Sequence, residues 1–243
     1  MEEIYGEVPN GPVVFAACDA NYFKDHAPSL IYSCDDVNKD MHIHVCNPTQ
    51  ETFNIANIIN TDTKINLTFS YNDIPNSGRE MRAYYASLRF FVLPVILPHA
   101  KKVLTVDVDC LLMKDFDWPE TATGYFPREP LETGSSWERE GTRVAAGVVY
   151  MDERAINVAN AVAMRIKEGP MQWFIDQIAL SEVFRQVEPE HVTNFDNQFM
   201  DWEFIEGTTI WTGKGPRKYD NPKYVEAKNF YNRLIGSTAR QWQ

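Results

Sequence analysis

The sequence has few cysteines, and they are not clustered. The four cysteines stand at positions 18, 34, 46 and 110, and no Cys-x-x-Cys pair occurs. Zinc ribbons and disulfide frameworks both require closely spaced cysteines, so this spacing argues against either. Because free cysteine behaves as a small apolar side chain, we predict that all four are reduced core residues.

Long apolar runs are also missing from the sequence. No stretch is long enough to cross a bilayer, and the N-terminal residues 1–10 are acidic and polar, unlike a signal peptide. From these two absences we expect a soluble, cytoplasmic protein with no membrane span.

Positive charge is scarce. The chain has 34 acidic and 23 basic residues, which gives a formal net charge of -11. A general nucleic-acid-binding protein would need a basic stripe, so we expect no nucleic-acid partner. A phosphorylated ligand, in turn, would have to be met by local cations or by a bound metal.

What the sequence does contain is an alternation of strand-like apolar runs with amphipathic helix patterns. This alternation predicts an α/β fold with a mostly parallel central sheet flanked by helices, and 243 residues suit one domain covering 1–243. The prolines at 94 and 98 should end the clearest helix, and the polar segment 128–142 should be a mobile loop. The predicted strands are 12–18, 41–46, 65–69, 102–106, 121–126, 144–151 and 208–211, and the predicted helices are 22–37, 79–93, 153–168 and 171–184.

Polar clusters follow three of the predicted strands. Asp19 follows the first strand, Asp107 and Asp109 follow the fourth, and Gly213 and Lys214 follow the last. In open α/β sheets, ligands bind at the carboxyl ends of the strands. We therefore expect these clusters to surround a ligand site.

The pair Asp107 and Asp109 is the clearest chemical signal. Residues i and i+2 of an extended segment point to the same side, roughly 6–7 Å apart, so both carboxylates can reach one Mg²⁺ or Mn²⁺ ion. A metal would also remove the repulsion between the carboxylates and a pyrophosphate, roughly 4 kcal/mol per close pair. The alternative is that both are solvated residues at a strand end, because Asp-x-Asp alone occurs by chance in many chains.

An ordered set of segments resembles a known family. The segments are 14–19, 84–89, 102–111, 145–150, 176–177 and 211–215. Together with Tyr22, they are similar to those of retaining glycosyltransferases with the GT-A fold, namely family 8, the glycogenin-like and bacterial galactosyltransferase-like enzymes. The resemblance covers the chain from about Val13 to Lys218.

The resemblance implies a single Rossmann-like GT-A domain that binds a UDP-sugar with Mn²⁺ or Mg²⁺ on Asp107 and Asp109. Ala17, Asp19 and Tyr22 would contact the uracil and the ribose. Tyr22 could stack on the base, or it could simply belong to the first turn of a helix.

The resemblance also assigns the diphosphate to Gly213 and Lys214. Glycine lets backbone N–H groups approach the phosphates, and the lysine supplies a positive charge that helps the leaving group depart. Arg217 and Lys218 extend this local basic cluster in an otherwise acidic chain.

Three further side chains are implied to act on the donor. Arg89 would reach the donor site, although a surface or salt-bridged arginine is the alternative. Asp176 and Gln177 would contact the donor sugar, with Gln177 near the anomeric carbon; the alternative is a polar helix N-terminus. The remaining donor-site positions that the resemblance implies are Val108, Ala146 and Gly147.

The sequence departs from the family at one position. The family's third metal ligand is a histidine just before the Gly-Lys turn, and Ile210 stands there in this chain. Isoleucine cannot bind a metal, so water or another residue would have to complete the site. His191, Asp196 and Asp201 are the candidates nearby in sequence.

The expected reaction is transfer of a hexose from the UDP-sugar to a carbohydrate or glycoconjugate acceptor, with retention of anomeric configuration. Glucose is favoured and galactose comes next, and the metal would act as a Lewis acid on the leaving diphosphate. Two alternatives stay open. One is a haloacid-dehalogenase-like phosphatase with Asp107 as nucleophile, and the other is a nucleotide-sugar-binding module without turnover.

Overall fold

The computed structural model describes residues 3–75, 81–129, 131–213, 215 and 217–238. Within this part of the chain, strands and helices alternate as the sequence predicts. The strands are β1 (Tyr5–Gly6), β2 (Val13–Asp19), β3 (Met41–Cys46), β4 (Leu67–Asn72), β5 (Lys102–Val106), β6 (Leu111–Leu112), β7 (Thr123–Pro127), β8 (Val144–Asp152), β9 (Val192–Asn194), β10 (Met200–Asp201) and β11 (Ile210–Trp211).

Helices connect half of the consecutive strands and follow the last one. The α-helices are α1 (Ala20–Asp36), α2 (Gln50–Asp62), α3 (Met81–Ala100), α4 (Ser136–Gly141), α5 (Ile156–Glu168), α6 (Ile175–Phe184), α7 (Arg217–Asp220) and α8 (Pro222–Thr238), and two 3₁₀ helices cover Glu153–Ala155 and Pro189–His191. No helix of the described residues has both the length and the hydropathy needed to cross a membrane.

The central sheet has eight described strands in the order β1-β4-β3-β2-β5-β8-β7-β9. Neighbouring strands from β4 to β5 run parallel, β7 and β9 are also parallel, and only β1 and β8 run against the common direction. The prediction of an α/β fold with a mostly parallel sheet is therefore confirmed. A second, small sheet joins β10, β11 and β6.

The core lies on both faces of the central sheet. Along β2, Val14 and Ala16 pack with α1 on one face, and Val13, Phe15 and Ala17 pack with α3 on the other. This is the alternation that a strand buried on both sides requires. The four cysteines are free and buried, as predicted.

Two predictions about the chain's course were wrong. Helix α3 does not end at Pro94 but continues through Pro98, because Ile96 and Leu97 are fully buried and their burial outweighs the lost backbone hydrogen bonds. The segment 128–142 is not wholly a loop, since it contains α4. A capping box between Ser135 and Glu138 begins that helix.

A buried histidine ladder joins β3 to β4. His42 bonds to Thr68 and Ser70 at 2.9 Å each, and His44 bonds to Ser70 at 2.8 Å and to Asn72 at 3.0 Å. Burial lowers the pKa of His42 to about 3 and that of His44 to about 4. Both imidazoles are therefore largely neutral in the folded protein between about pH 4 and pH 6.5, where unfolded histidine is protonated.

This ladder predicts a specific pH dependence of stability. Because the folded pKa values are depressed, the stabilisation is complete above about pH 6.5 and is lost as the pH falls toward about 4, at up to about 1.4 kcal/mol per pH unit for each histidine. Urea unfolding across this range should give a flatter slope for the double variant His42→Gln/His44→Gln than for the wild type. The control Ile43→Val removes a buried methyl group from the same strand without changing titration, so it should keep the wild-type slope. Equal slopes for the double variant and the wild type would contradict the prediction.

Candidate functional site

The polar clusters predicted from the sequence do lie near one another, at the carboxyl ends of β2 and β5. Asp19 ends β2 and accepts a hydrogen bond from the backbone N–H of Tyr22 at 2.8 Å, so it caps α1. Tyr22 in turn is 3.4 Å from the ammonium of Lys218, which contacts Asp109 beyond the end of β5. We refer to this edge of the sheet as the candidate site.

Arg89 is the central cation of the candidate site. It projects from α3, its side chain is 4% exposed, and its Nη1 forms an ion pair with the Oδ1 of Asp107 at 2.7 Å. Its Nη2 donates to the carbonyl oxygen of Ala146 at 2.7 Å and lies 3.8 Å from the Oδ2 of Asp176. Arg89 is therefore salt-bridged, which was one of the two alternatives considered from the sequence. Its contacts bring together the end of β5, the strand β8 and the start of α6.

Asp109 forms the second ion pair of the site. Its Oδ2 accepts a hydrogen bond from the ammonium of Lys218, and both side chains are almost fully buried. The hydroxyl of Tyr224 donates to the Asp109 carbonyl oxygen at 2.7 Å. Gly213 packs directly beside this pair, since a Cβ added there would lie 2.9 Å from Asp109 Cγ and 2.8 Å from Lys218 Cδ. A side chain at position 213 would therefore push the pair apart.

Burial determines the electrostatics of these groups. It raises the pKa of Asp109 to about 6 despite the opposing charge of Lys218, and it raises the pKa of Asp176 to about 6 despite Arg89. Burial alone would lower the pKa of Lys218, but the charge of Asp109 outweighs it and raises that pKa. The Lys218–Asp109 pair is therefore ionised at neutral pH.

The residues predicted to contact the donor sugar lie at the start of α6. Asp176 is 6% exposed and its Oδ1 accepts from the backbone N–H of Gln177 at 2.8 Å. The side-chain oxygen of Gln177 accepts from Arg128 Nη1 at 2.8 Å. The sequence prediction did not include Arg128, because a lone arginine after a strand carries no motif.

The other predicted positions fall on strands around these groups. Ala17 is buried near the end of β2, and Val108 is buried between the two aspartates. Gly147 on β8 lies against Asp107, where an added Cβ would be 3.0 Å from the carboxylate oxygen. Lys214 lies outside the described residues. Lys218 was noted only as part of a basic cluster, and its neighbour in space, Asp109, could not be inferred from their distant positions in the chain.

The donor set for a divalent cation is incomplete in this structure. Asp107 is paired with Arg89 and Asp109 with Lys218, and Ile210 is a fully buried residue of β11. Across the described ranges, no group of three His, Cys, Asp or Glu side chains is arranged to hold a metal ion. The residues therefore do not fit a resident Mn²⁺ or Mg²⁺ as they stand.

Two of the three sequence candidates for a third ligand have side chains that are engaged elsewhere. Asp196 accepts from the backbone N–H groups of residues 198 and 199, and Asp201 accepts from those of residues 203 and 205. Both carboxylates therefore organise local turns. His191 ends a 3₁₀ helix, and its carbonyl oxygen accepts from Thr123 at 3.0 Å.

A cavity of about 450 Å³ lies beside Arg128, the residue that bonds Gln177. Its wall combines aromatic, acidic and amide side chains, a mixture that suits a polar ligand with an apolar face. The lining residues are Phe126, Pro127, Arg128, Glu129, Asn197, Asp201, Trp202, Glu203 and Ile205.

The raised pKa of Asp176 predicts that this carboxylate reduces stability at neutral pH. A group whose folded pKa is about 6 rather than 3.8 contributes fully below about pH 4, and that contribution is lost as the pH rises through 6. Asp176→Asn should therefore raise the free energy of unfolding at pH 7 by as much as about 3 kcal/mol, with no gain at pH 4.

Denaturant unfolding at the two pH values measures this difference. Asp115→Asn is the matched control, because Lys39 lowers the pKa of Asp115 and its replacement should bring no gain. A marked loss of stability for Asp176→Asn at pH 7 would mean that the Arg89 contact outweighs the effect of burial.

Comparison with solved structures identifies the fold of this chain. The galactosyltransferase LgtC, solved with donor and acceptor sugar analogs, superposes with a TM-score of 0.62 at 15% identity over 92% of this chain and 95% of LgtC. The bifunctional glycosyltransferase WbbM gives 0.64 at 13% identity over 93% of this chain, which spans only 50% of WbbM. The glycosyltransferase GlyE of Streptococcus pneumoniae gives 0.57 at 14% identity over 93% of this chain and 63% of GlyE.

No protein-family model and no curated protein sequence matches the chain. At such low identities the structural likeness concerns the fold, and over more than nine tenths of its length this chain has the GT-A fold of those glycosyltransferases.

Proposed function

We propose that this protein is a retaining glycosyltransferase that transfers a hexose from a UDP-sugar to a carbohydrate acceptor. The observation that carries the proposal is the position of Arg89, which contacts Asp107 and approaches Asp176 at the carboxyl end of the sheet in a chain with the GT-A fold. Carboxylates held by a buried guanidinium at that edge are suited to binding sugar hydroxyls rather than to folding alone.

The donor would lie across the ends of β2, β5 and β8. Tyr22, 43% exposed at the start of α1, offers an aromatic face to the uracil, and Ala17 and Asp19 border the same strand end. The diphosphate would meet Lys218 and the backbone beside Gly213. Positive charge and N–H groups at this place favour departure of the leaving group.

The sugar would lie between Asp176 and Gln177. The C–O bond between the anomeric carbon and the phosphate breaks, and its electron pair goes to the diphosphate. The acceptor hydroxyl oxygen forms the new bond on the same face and passes its proton to the departing phosphate oxygen. Retention then follows without a covalent intermediate on the enzyme.

The phosphatase alternative is less well supported. Its nucleophile would be Asp107, but Oδ1 of this carboxylate forms an ion pair with Arg89 at 2.7 Å, which reduces its nucleophilicity. The binding-module alternative uses the same contacts without turnover, so only a rate measurement separates it from the proposal.

The first test is release of UDP from a panel of nucleotide sugars. We expect release from UDP-glucose or, failing that, UDP-galactose, and a rate about 100-fold lower for Asp176→Asn because a transition-state contact is lost. Asp115→Asn should keep the wild-type rate, since Asp115 is an exposed partner of Lys39.

Two further readouts complete this experiment. The anomeric configuration of the product, followed by NMR, should match that of the donor. Phosphate release from a phosphomonoester, without any UDP release, would instead support the phosphatase. Binding of a UDP-sugar without release would support the binding module.

We further propose that the acceptor occupies the cavity beside Arg128. Trp202 is partly buried in its wall, and aromatic faces stack well on sugars. Trp202→Ala should raise the KM for any saccharide acceptor by about 10-fold while leaving UDP release to water within about twofold. Equal losses in both reactions would place Trp202 in the donor site or in the fold instead.

A further inference from the structure

The candidate site contains its own cations at the positions where a divalent metal would act. We propose that Lys218 and Arg89 take the place of the metal ion, so that the site binds the diphosphate without one. This inference rests on the proposed function, because the diphosphate is that of the donor. It departs from the metal-dependent reaction that the resemblance implies.

The first argument is the state of the two carboxylates. The side chains of Lys218 and Asp109 are 3% and 9% exposed, and they contact each other directly. A metal ion that bound Asp109 would have to displace this ammonium and leave it buried without its counter-ion, which is strongly unfavourable. Asp107 is more accessible, at 42% exposed, but it is held by Arg89.

The second argument is the missing third ligand. Position 210, where the family has a histidine, holds an isoleucine that pairs with Leu112 in the small sheet and is fully buried. No third His, Cys, Asp or Glu joins Asp107 and Asp109 within the part of the chain that the structure describes. Two carboxylates that are already neutralised make a weak site for Mg²⁺ or Mn²⁺.

The third argument is the local charge. The ammonium of Lys228 on α8 bonds to His26 at 3.0 Å, and the ring of His26 lies 4.7 Å from that of Tyr22. Arg89 and Lys218 therefore pair directly with Asp107 and Asp109, and Lys228 adds a third cation to a site whose other carboxylates are Asp19 and Asp176. By sequence, Lys214 and Arg217 add two more basic residues shortly before Lys218.

This local density of cations is unusual for the chain as a whole, which carries a net charge of -11. Because Asp107 and Asp109 are each paired with a cation, an incoming diphosphate does not meet an uncompensated carboxylate pair. The hydroxyl of Tyr22, 3.4 Å from Lys218, lies on the side where the nucleotide is expected, so one ammonium can bridge Asp109 and a phosphate oxygen. Fixed cations in place of a metal are chemically sufficient to stabilise a leaving diphosphate.

The experiment is calorimetric titration of UDP into the full-length protein, once with EDTA and once with MnCl₂. We expect the Kd of the wild type to change by less than about threefold between the two conditions. A Kd more than about tenfold lower with MnCl₂ would overturn the inference and leave the glycosyltransferase proposal intact. No binding of UDP or of any nucleotide sugar in either condition would overturn both.

A variant series gives a second, independent readout. Lys218→Met should weaken UDP binding in EDTA by about 10- to 100-fold, and MnCl₂ should restore part of it, because Asp109 is then available to a metal. Manganese EPR without nucleotide should detect bound Mn²⁺ in this variant and none in the wild type. Bound Mn²⁺ in the nucleotide-free wild type would contradict the proposal.

Two controls keep the result interpretable. The double variant Lys218→Met/Asp109→Asn removes both charges, so no buried carboxylate is left unpaired if the single variant fails to fold. It should lose UDP affinity in EDTA and show no recovery with MnCl₂; recovery would count against Asp109 as the group that Lys218 neutralises. Lys39→Met breaks a different Lys–Asp pair, with Asp115, and should bind UDP like the wild type.

Discussion

The contacts of one buried guanidinium organise this protein. Arg89 lies in the interior of α3, and a charge at such depth is tolerated only where partners satisfy it. Its partners come from three other elements: the carboxylate beyond β5, a backbone carbonyl of β8 and the carboxylate at the start of α6. Asp107 and Asp176, which lie far apart in the sequence, are therefore held by the same side chain.

This arrangement places acidic groups in surroundings that disfavour their charge. Asp109 and Asp176 are both buried, and the pKa of each is raised to about 6. Each carboxylate is the counter-ion of a buried cation, Asp109 of Lys218 and Asp176 of Arg89. Natural sites commonly hold such residues at some cost to the fold, because ligand binding requires them.

Local signals in the sequence were sufficient for most of the fold. The strand 102–106 and the strand 41–46 were predicted with their observed bounds, because each is a short apolar or alternating run beside a turn. The prediction that Pro94 and Pro98 end α3 was wrong, because local rules do not include the burial of the residues around them. Helices α2 and α8 were not predicted, because their apolar residues are few and are interrupted by polar ones.

Sequence reasoning identified only part of the candidate site. Asp107, Asp109 and Asp176 stand in motifs, so they could be named without coordinates. Their cations could not be assigned in the same way, because Lys218 lies in the short helix α7 and no local pattern links it to the carboxylate that it neutralises. The expectation of a third metal ligand also rested on proximity along the chain, and Asp196 and Asp201 instead cap turns of their own.

The separation of these partners along the chain has a consequence for folding. Arg89 meets a carbonyl 57 residues later, Lys218 meets a carboxylate 109 residues earlier, and Tyr22 is 196 residues from the ammonium beside it. Contacts of such long range form late, after the loops between them have been closed. A nascent or truncated chain that ends before α7 lacks both Lys218 and Lys228, two cations of the site. The appearance of ligand-binding capacity should thus mark the final step of folding.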